Sequence, residues 1–282
     1  MRFGFVTCVQ LGLSCMEAIY AVGGELDLVI TLRDDQAKSK VGRVYLDDFC
    51  DARGISLVKS GNVNDAAIVD AVRKAGIDWL FIIGWSQIAR ADLLAAPTRG
   101  ALGMHPSLLP VGRGRAAIPW AILKGLDATG VTLFKLAEGV DTGEIIDQAV
   151  IPLAPDTDAN GLYASVDAAH VALMRAAFPR LANDTLTGRP QIDADATYWP
   201  ARTAEDGAID TSGSVFDAER LVRAVTRPYP GAFFHSGGRK IVVWKAEVRD
   251  LDAPRGDAPC IAFHDGVLCA LDWEDAGETP AA

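Results

Sequence analysis

Residues 103–110 read Gly-Met-His-Pro-Ser-Leu-Leu-Pro, and residues 112–115 continue with Gly-Arg-Gly-Arg. Apolar runs at 79–83 and 100–104 precede His105 and predict two buried strands, the second of which delivers the histidine to a sheet edge. The prolines and glycines that follow exclude regular structure, so we expect a shaped loop here. On an α/β scaffold such a loop is a usual location for reacting side chains, which makes His105 the first candidate functional residue.

An acidic turn further along the chain supplies the second candidate. Residues 138–143 read Glu-Gly-Val-Asp-Thr-Gly and place Asp141 between glycines. A carboxylate in such a turn can orient or deprotonate a histidine. Because Asp is also common in turns that have no chemical role, the residues alone leave both interpretations of Asp141 open.

Strands and helices alternate through the first part of the chain, which predicts an α/β fold with a mostly parallel sheet and helices on both faces. The predicted strands cover residues 2–7, 26–32, 55–58, 78–83, 100–104, 131–136 and 145–151. In such a sheet, ligands bind beyond the carboxyl ends of the strands, where Trp85 and Gln87 lie. A long helix then runs to Phe178, and we expect His170 on this helix to be a surface or packing histidine rather than a ligand.

The remaining residues predict a smaller second unit. Residues 190–200 are typical of a linker, and a helix at 215–225 is followed by strands at 240–248 and 266–273. We therefore expect one domain over residues 1–200 and a small β-rich domain over residues 201–282.

Composition and charge limit the classes of partner. Half of the 282 residues are hydrophobic, and the net charge is −10. An acidic chain is a poor partner for a phosphate backbone, so free nucleic acid is not an expected ligand. No window reaches the run of about 18 apolar residues that a membrane helix needs, and the N-terminus lacks a basic segment followed by an apolar core. The expectation is a cytoplasmic protein with no membrane partner.

The cysteines predict neither a disulfide framework nor a metal site. There are five, an odd number, and they are scattered without a Cys-x-x-Cys pair. Such a pattern is typical of reduced thiols that are mostly packed in the interior. No metal is expected.

Several motifs taken together extend these inferences. His-Pro-Ser-Leu-Leu-Pro with Gly-Arg-Gly-Arg at 105–115, Gly-Val-Thr at 130–132 and Asp-Thr-Gly at 141–143 resemble the formyltransferase family that uses 10-formyltetrahydrofolate. Residues 202–210 and 223–244 are similar to the small C-terminal domain of its tRNA and amino-sugar branches. The resemblance covers nearly the whole chain. It implies a Rossmann-like formyltransferase domain followed by a small OB-like domain.

The resemblance also implies roles for particular residues. His105 would be the catalytic histidine and Asp141 its carboxylate partner. The pterin end of the folate would be held largely by backbone groups, with Arg115 close to the cofactor. The implied cofactor-binding residues are Gln87, Ile88, Ala89, Arg115, Ala137, Glu138, Gly139, Val140 and Asp141.

One position departs from the family pattern, because Gly103 stands where the family has asparagine. Formyl transfer to an amine passes through a tetrahedral intermediate, so the site must accept a proton and stabilise an oxyanion. Loss of one oxyanion donor can cost roughly a hundred- to a thousandfold in rate. Either a backbone N–H beside Gly103, Ser86 or the imidazolium of His105 supplies this donor, or the protein no longer catalyses the reaction efficiently.

Three functions follow from these observations. The first is an N-formyltransferase acting on a small amine, such as an amino sugar or a nucleotide-linked amino sugar, and a homodimer is compatible with it. The second is methionyl-tRNA formyltransferase, which the nine Lys and Arg against fourteen Asp and Glu from residue 202 onward disfavour. The third is a folate-binding relative with altered chemistry, which Gly103 brings into consideration.

Overall fold

A seven-stranded sheet dominates the computed structural model, which describes residues 1–39, 43–254 and 257–278. Along the chain the first strands are β1 (Phe3–Val6), β2 (Leu28–Leu32), β3 (Ser56–Ser60), β4 (Trp79–Ile82), β5 (Gly100–His105), β6 (Arg113–Gly114), β7 (Ala128–Lys135) and β8 (Ile145–Pro152). All of them except β6 join the sheet, in the order β3-β2-β1-β4-β5-β7-β8. The pairs from β3 to β5 are parallel, and β7 runs antiparallel to β5. The predicted mostly parallel α/β sheet is therefore confirmed.

Helices cover both faces of this sheet. Successive strand residues point to opposite faces, and they therefore belong to different apolar clusters. Phe5 packs in one cluster with α-helical residues such as Ile19 and Phe178, whereas the next residue, Val6, packs in another with Val72. The helices are α1 (Gln10–Ala21), α2 (Asp47–Asp51), α3 (Ala66–Lys74), α4 (Ala91–Leu94), α5 (Ala117–Leu123), α6 (Ala159–Ala182) and α7 (Val215–Val225). Short 3-10 helices occur at Asp34–Ser39, Asp193–Asp195 and Glu205–Gly207.

Two compact units divide the chain. The first contains residues 1–113, 130–151 and 166–198, and the second contains residues 114–129, 152–165 and 199–282. Because residues 114–129 and 152–165 belong to the second unit together with residues 199–282, no single point of the sequence separates the two units. The domain boundary at residue 200 stays a prediction.

The second unit contains an antiparallel sheet, as its predicted β-rich character requires. The later strands are β9 (Tyr198–Trp199), which pairs with β6, and β10 (Ala232–Ser236), β11 (Arg239–Arg249), β12 (Cys260–Ala262) and β13 (Val267–Glu278), which form a sheet in the order β10-β11-β13-β12. Helix α7 packs on β11 and on α5. The sequence prediction missed β10, although Gly237 and Gly238, both with positive φ, form a hairpin turn to β11.

Cys260 and Cys269 form a disulfide across β12 and β13. The expectation that the cysteines are thiols is therefore wrong for this pair. The two residues face each other in an antiparallel register, with Cα atoms 4.2 Å apart, and cysteine spacing alone does not reveal such a register. Cys8, Cys15 and Cys50 are buried. Burial raises the pKa of the Cys50 thiol to about 11 and also raises that of Cys15.

Val22 lies just beyond the end of α1 and is exposed. In the described ranges, we find no helix of sufficient length and apolar character to span a membrane.

Candidate active site

His105 is the last residue of β5 and is 8% exposed. Its Nε2 lies 2.8 Å from the carbonyl oxygen of Gly112. Because a carbonyl can only accept, Nε2 must carry a hydrogen, and Nδ1 is then the nitrogen that takes up or releases a proton. Nδ1 lies 3.6 Å from Oδ2 of Asp141, which is within ion-pair range but longer than a direct hydrogen bond.

The loop after His105 is held by hydrogen bonds along its length. The hydroxyl of Ser107 donates to the carbonyl of Val111 at 2.7 Å, and the hydroxyl of Thr132 on β7 donates to the carbonyl of Ser107 at 2.7 Å. Further along, the N–H of Gly112 donates to Thr197 Oγ1 at 2.9 Å. Ser107 and Thr132 are both buried, and their hydroxyls are satisfied within the fold. The carbonyl of Gly112, which fixes the tautomer of His105, therefore belongs to a loop that is held by its own hydrogen bonds.

Arg113, at the end of this loop, is an internal residue. Its side chain is 2% exposed and donates from Nε and Nη2 to Gln191 Oε1, at 3.0 and 2.8 Å. It also donates to Asp193 Oδ1 and to the hydroxyl of Tyr198, each at 2.9 Å. The chain itself therefore supplies the acceptors of this guanidinium, among them the Asp193 carboxylate.

The turn that carries Asp141 depends on unusual backbone geometry. Asp141 has a φ of 54°, a left-handed conformation that Asp tolerates better than most residues. A methyl group at Gly143 would lie 1.7 Å from the carbonyl oxygen of Lys135, so only glycine fits there. The side-chain N–H₂ of Gln191 donates to the carbonyls of both Asp141 and Gly143 at 2.7 Å. These contacts place the Asp141 carboxylate beside the imidazole.

Gly103 lies two residues before His105 on β5, so a side chain there would point to the same face of the sheet. The Cβ of such a side chain would be 2.7 Å from Cδ2 of Leu136. Leu136 itself packs against Leu109, Phe134 and Ile145. An apolar side chain from the neighbouring segment thus fills the space beside position 103.

The segment Gln87–Ala89 follows β4, the neighbour of β5. The side chain of Gln87 accepts from the N–H of Val63 at 2.9 Å and from Nε1 of Trp85 at 3.3 Å, and it donates to the carbonyl of Gly61 at 2.9 Å. The hydrogen-bonding groups of the Gln87 amide are therefore occupied by Val63, Trp85 and Gly61. A ligand at this segment would contact its backbone. Ile88 is 68% exposed, whereas Ala89 packs partly against the core.

The other predicted cofactor contacts lie on two different units. Ala137, Glu138, Gly139 and Val140 are all exposed on the loop that precedes Asp141 in the first unit. Arg115 is exposed in the second unit, and its backbone N–H donates to the carbonyl of Trp199 at 3.0 Å. Its proximity to the cofactor stays a prediction.

His170 is a residue whose connection with the site the sequence did not show. It is 1% exposed on α6, and Nδ1 donates to the carbonyl of Val166 at 2.8 Å. Burial, together with a smaller contribution from the charge of His105, lowers the pKa of His170 to about 4. His170 packs, as expected, but it also interacts electrostatically with His105. Its helical spacing from Val166, on the buried stripe of α6, is the sequence signal for this burial.

Within the described ranges, no cluster of three or more His, Cys, Asp or Glu residues could hold a metal ion. The chemical groups that the site offers are therefore a buried imidazole, a neighbouring carboxylate and exposed backbone on two loops. Such a set is suited to proton transfer beside a bound ligand.

Comparison with known protein families identifies the class. Residues 28–177 match the formyl transferase family, and residues 202–274 match the formyl transferase C-terminal domain. Because the first match alone spans more than half of the chain, the protein belongs to the formyl transferase family, and the resemblance seen in its motifs is confirmed. It is an enzyme of the class that transfers formyl groups.

Several solved structures share this fold. An N-formyltransferase from Helicobacter canadensis, in complex with folinic acid and dTDP-3-aminofucose, is 17% identical with a TM-score of 0.71, over 96% of this chain and 99% of that one. Methionyl-tRNA formyltransferase from Clostridium thermocellum is 15% identical with a TM-score of 0.65, over 98% and 99%. HypX from Aquifex aeolicus in complex with tetrahydrofolic acid is 20% identical with a TM-score of 0.68, over 98% of this chain and 44% of that one. At these identities the similarity concerns the fold.

Proposed function

We propose that this enzyme transfers a formyl group from 10-formyltetrahydrofolate to the primary amine of a small acceptor, an amino sugar or a nucleotide-linked amino sugar. The observation that carries the proposal is the imidazole of His105, whose Nε2 is fixed by Gly112 and whose Nδ1 faces the Asp141 carboxylate at 3.6 Å. The Helicobacter canadensis enzyme, which shares this fold, was crystallised with both a folate and a nucleotide-linked amino sugar.

The residues present fit a folate. Exposed backbone at 137–140 offers donors and acceptors, as the polar edge of a pterin requires. Ile88 and Val140 expose apolar side chains on the two loops, 68% and 50% accessible, and apolar surface of this kind suits a flat aromatic ring. When bound, 10-formyltetrahydrofolate would supply the formyl group as an acyl donor. Ile88, Ala89 and the 137–141 loop would hold it, with Gln87 supporting its loop from behind.

Proton transfer would involve both His105 and Asp141. Nδ1 of His105 would accept a proton from the acceptor amine as the new C–N bond forms, because Nε2 already donates to Gly112. The carboxylate of Asp141 would stabilise the imidazolium and keep the ring in this orientation. His105 would then give the proton to the folate nitrogen as the bond between that nitrogen and the formyl carbon breaks. Burial of the imidazole limits competing proton exchange with water.

The hydrogen-bond donor to the oxyanion cannot be a side chain at position 103, so another group must supply it. Gly103 has no polar atom to offer beyond its backbone, and the adjacent space holds the carbon atoms of Leu136. We assign this role to the protonated Nδ1 of His105, which can donate once it has taken the proton. Lower intrinsic rates than in asparagine-containing relatives would follow.

A second candidate function is a folate-binding relative that has lost efficient transfer, and the Leu136 side chain beside Gly103 favours it. A tRNA acceptor fits less well. The fold is shared with methionyl-tRNA formyltransferase, but the acidic excess after residue 201 weighs against a tRNA contact.

Mass spectrometry of products tests the proposal. The protein is incubated with 10-formyltetrahydrofolate and a panel that contains free amino sugars, nucleotide-linked amino sugars and methionyl-tRNA. A mass gain of one formyl group on a sugar amine is the expected result. Formylation of methionyl-tRNA alone would overturn the acceptor assignment, and folate binding without product on any acceptor would favour the second candidate.

A further inference from the structure

Gln191 makes hydrogen bonds at both ends of its side-chain amide. Its Nε2 donates to the carbonyls of Asp141 and Gly143, both at 2.7 Å. Its Oε1 accepts from Nε and Nη2 of Arg113, at 3.0 and 2.8 Å. All four bonds lie within the first unit. The amide therefore connects the end of the histidine loop with the turn of the candidate acid.

Arg113 is a firm anchor for this connection. Its guanidinium is almost fully buried and makes additional bonds to Asp193 and to the hydroxyl of Tyr198. The N–H of Arg113 also donates to the carbonyl of Thr197 at 2.9 Å. Because Arg113 directly follows Gly112, whose carbonyl accepts from His105 Nε2, the anchor and the imidazole belong to one braced segment.

We propose that Gln191 is a positioning residue for catalysis, which ties the Asp141 turn to Arg113 and so keeps the carboxylate beside Nδ1 of His105. This inference rests on the proposed function, since it takes Asp141 as the partner of the catalytic histidine. Asp141 sits in a left-handed conformation, and two bonds from one amide to the carbonyls at 141 and 143 stabilise that conformation.

The chemistry of an amide is needed at this position. One end must accept from a guanidinium and the other must donate to two carbonyls, and only a primary amide does both in one planar group. A carboxylate has the same shape and would keep the bonds to Arg113. It would also place a negatively charged acceptor against two carbonyl oxygens, so the turn would lose both donors and be repelled.

Replacement of Gln191 by Glu separates these two ends. We expect kcat for formyl transfer to fall by about tenfold to a hundredfold, because small displacements of a catalytic group have effects of this size. Gln191→Ala removes both ends without adding charge, and we expect a loss at least as large. Circular dichroism and the melting temperature establish that each variant is folded.

The matched control is Asp193→Asn, which removes the charge of another partner of Arg113 but keeps an acceptor oxygen. The Asp193 side chain is 85% exposed, so its ion pair contributes little. We expect kcat of this variant to stay within about twofold of the wild type. A loss in Asp193→Asn as large as that in Gln191→Glu would overturn the specific role of the amide.

A double variant distinguishes positioning from general support of the fold. If Gln191 acts through Asp141, adding Gln191→Glu to Asp141→Asn should lower kcat by less than about twofold further, since groups in one pathway are not additive. A full additional loss would show that Gln191 acts independently of the carboxylate and would refute the proposal.

Hydrogen exchange supplies a readout that does not depend on turnover. In Gln191→Glu, backbone amides in a peptide covering residues 136–145 should exchange several times faster than in the wild type, while those of residues 26–32 on β2 stay unchanged. Unchanged exchange in the turn would overturn the inference. If the wild type transferred no formyl group, the proposed function would fail, and the exchange result would still decide whether Gln191 holds the turn.

Discussion

The two loops that meet at the candidate site are built in different ways. The histidine loop, residues 105–113, is mostly closed, with Ser107 and Arg113 buried and bonded to the rest of the first unit. The acid turn, residues 137–143, is open, because Ala137 to Val140 are exposed and its fastening lies at the far end, where Gln191 holds Asp141 and Gly143. One half of the candidate site is therefore held by internal hydrogen bonds, and the other half is exposed to a ligand.

Under the proposed function, the two loops have separate tasks. A rigid loop suits the group that moves the proton, because its tautomer must be fixed before the substrate arrives. An exposed loop suits the group that contacts the cofactor, because backbone that remains accessible can bond to a ligand. Substitutions in the rigid half should therefore act mainly on kcat, and substitutions in the open half should act on both kcat and folate KM.

Removal of the imidazole is expected to have the largest effect. His105→Ala deletes the proton acceptor, so kcat should fall by about a thousandfold, within the range for general acid–base groups. The loop keeps its own hydrogen bonds at Ser107 and Gly112 in this variant, so it should persist. Steady-state kinetics and calorimetric binding of tetrahydrofolate measure both properties. Near-normal kcat in this variant would remove His105 from the mechanism.

Asp141→Asn is expected to have the next largest effect. The neutral amide no longer stabilises the imidazolium, and kcat should fall by about tenfold to a hundredfold. The matched control is Glu144→Gln, in the same connection between β7 and β8. The Glu144 carboxylate is half exposed and pairs with Lys135 at 2.9 Å. The kcat of this control should change by less than about twofold. Equal losses in the two variants would indicate that charge in the connection matters and that the position of Asp141 does not.

Gly103→Asn should lower kcat by a smaller factor, about tenfold. The new Cβ would approach Leu136 to 2.7 Å, and crowding of a packed site is usually destabilising. Leu136→Ala creates space, so the double variant Gly103→Asn/Leu136→Ala should recover much of the loss. A rise in kcat in the single variant would contradict this prediction. Unchanged kcat and KM would place residue 103 outside the reacting region.

His170→Asn should change the pH dependence of the free energy of unfolding more than it changes kcat. The folded pKa of His170 is lowered to about 4 from an ordinary value of 6.5, mainly by burial. The unfolded chain therefore binds more protons in this window, and stability is fully present above pH 6.5 and is lost as the pH falls towards 4. The wild type should lose up to about 3 kcal/mol over this range.

Urea denaturation at several pH values between 4 and 7 measures this loss. Asparagine keeps a donor near the position of Nδ1 but does not titrate, so the His170→Asn curve should be flatter than that of the wild type. His264→Asn, which replaces an exposed histidine, serves as the control and should keep the wild-type slope. Identical slopes in the wild type and His170→Asn would show that His170 does not contribute to acid sensitivity.

Local patterns in the sequence were sufficient for the main sheet and for the histidine loop. Apolar runs before His105 predicted β4 and β5 within a residue, because a buried parallel strand requires such a run. The prolines and glycines after it predicted the loop, but they also excluded regular structure at Arg113 and Gly114, which form the short strand β6. The Asp141 turn was visible too, but the residues alone did not decide its role, and its family resemblance supplied the partner for His105.

Contacts between distant segments could not be predicted in this way. Nothing in Gly-Arg-Gly indicates that Arg113 is buried against Gln191, which lies 78 residues away. Leu136 fills the space beside Gly103 only because β7 runs next to β5. The Cys260–Cys269 pairing depends likewise on a strand register. Such features arise from packing, which a pattern of residue types does not encode locally.

Gly143 makes the chain intolerant of variation at a single codon. With 1.7 Å between a hypothetical Cβ and the carbonyl oxygen of Lys135, even alanine would force the two backbone segments apart. In a saturation library at this codon, we expect survivors to be almost all glycine, whereas codon 140, whose valine is half exposed, should accept many residues. A chain that aligns with this one but carries any other residue at 143 would need a different turn, and its carboxylate would have to reach the histidine from another point of the backbone.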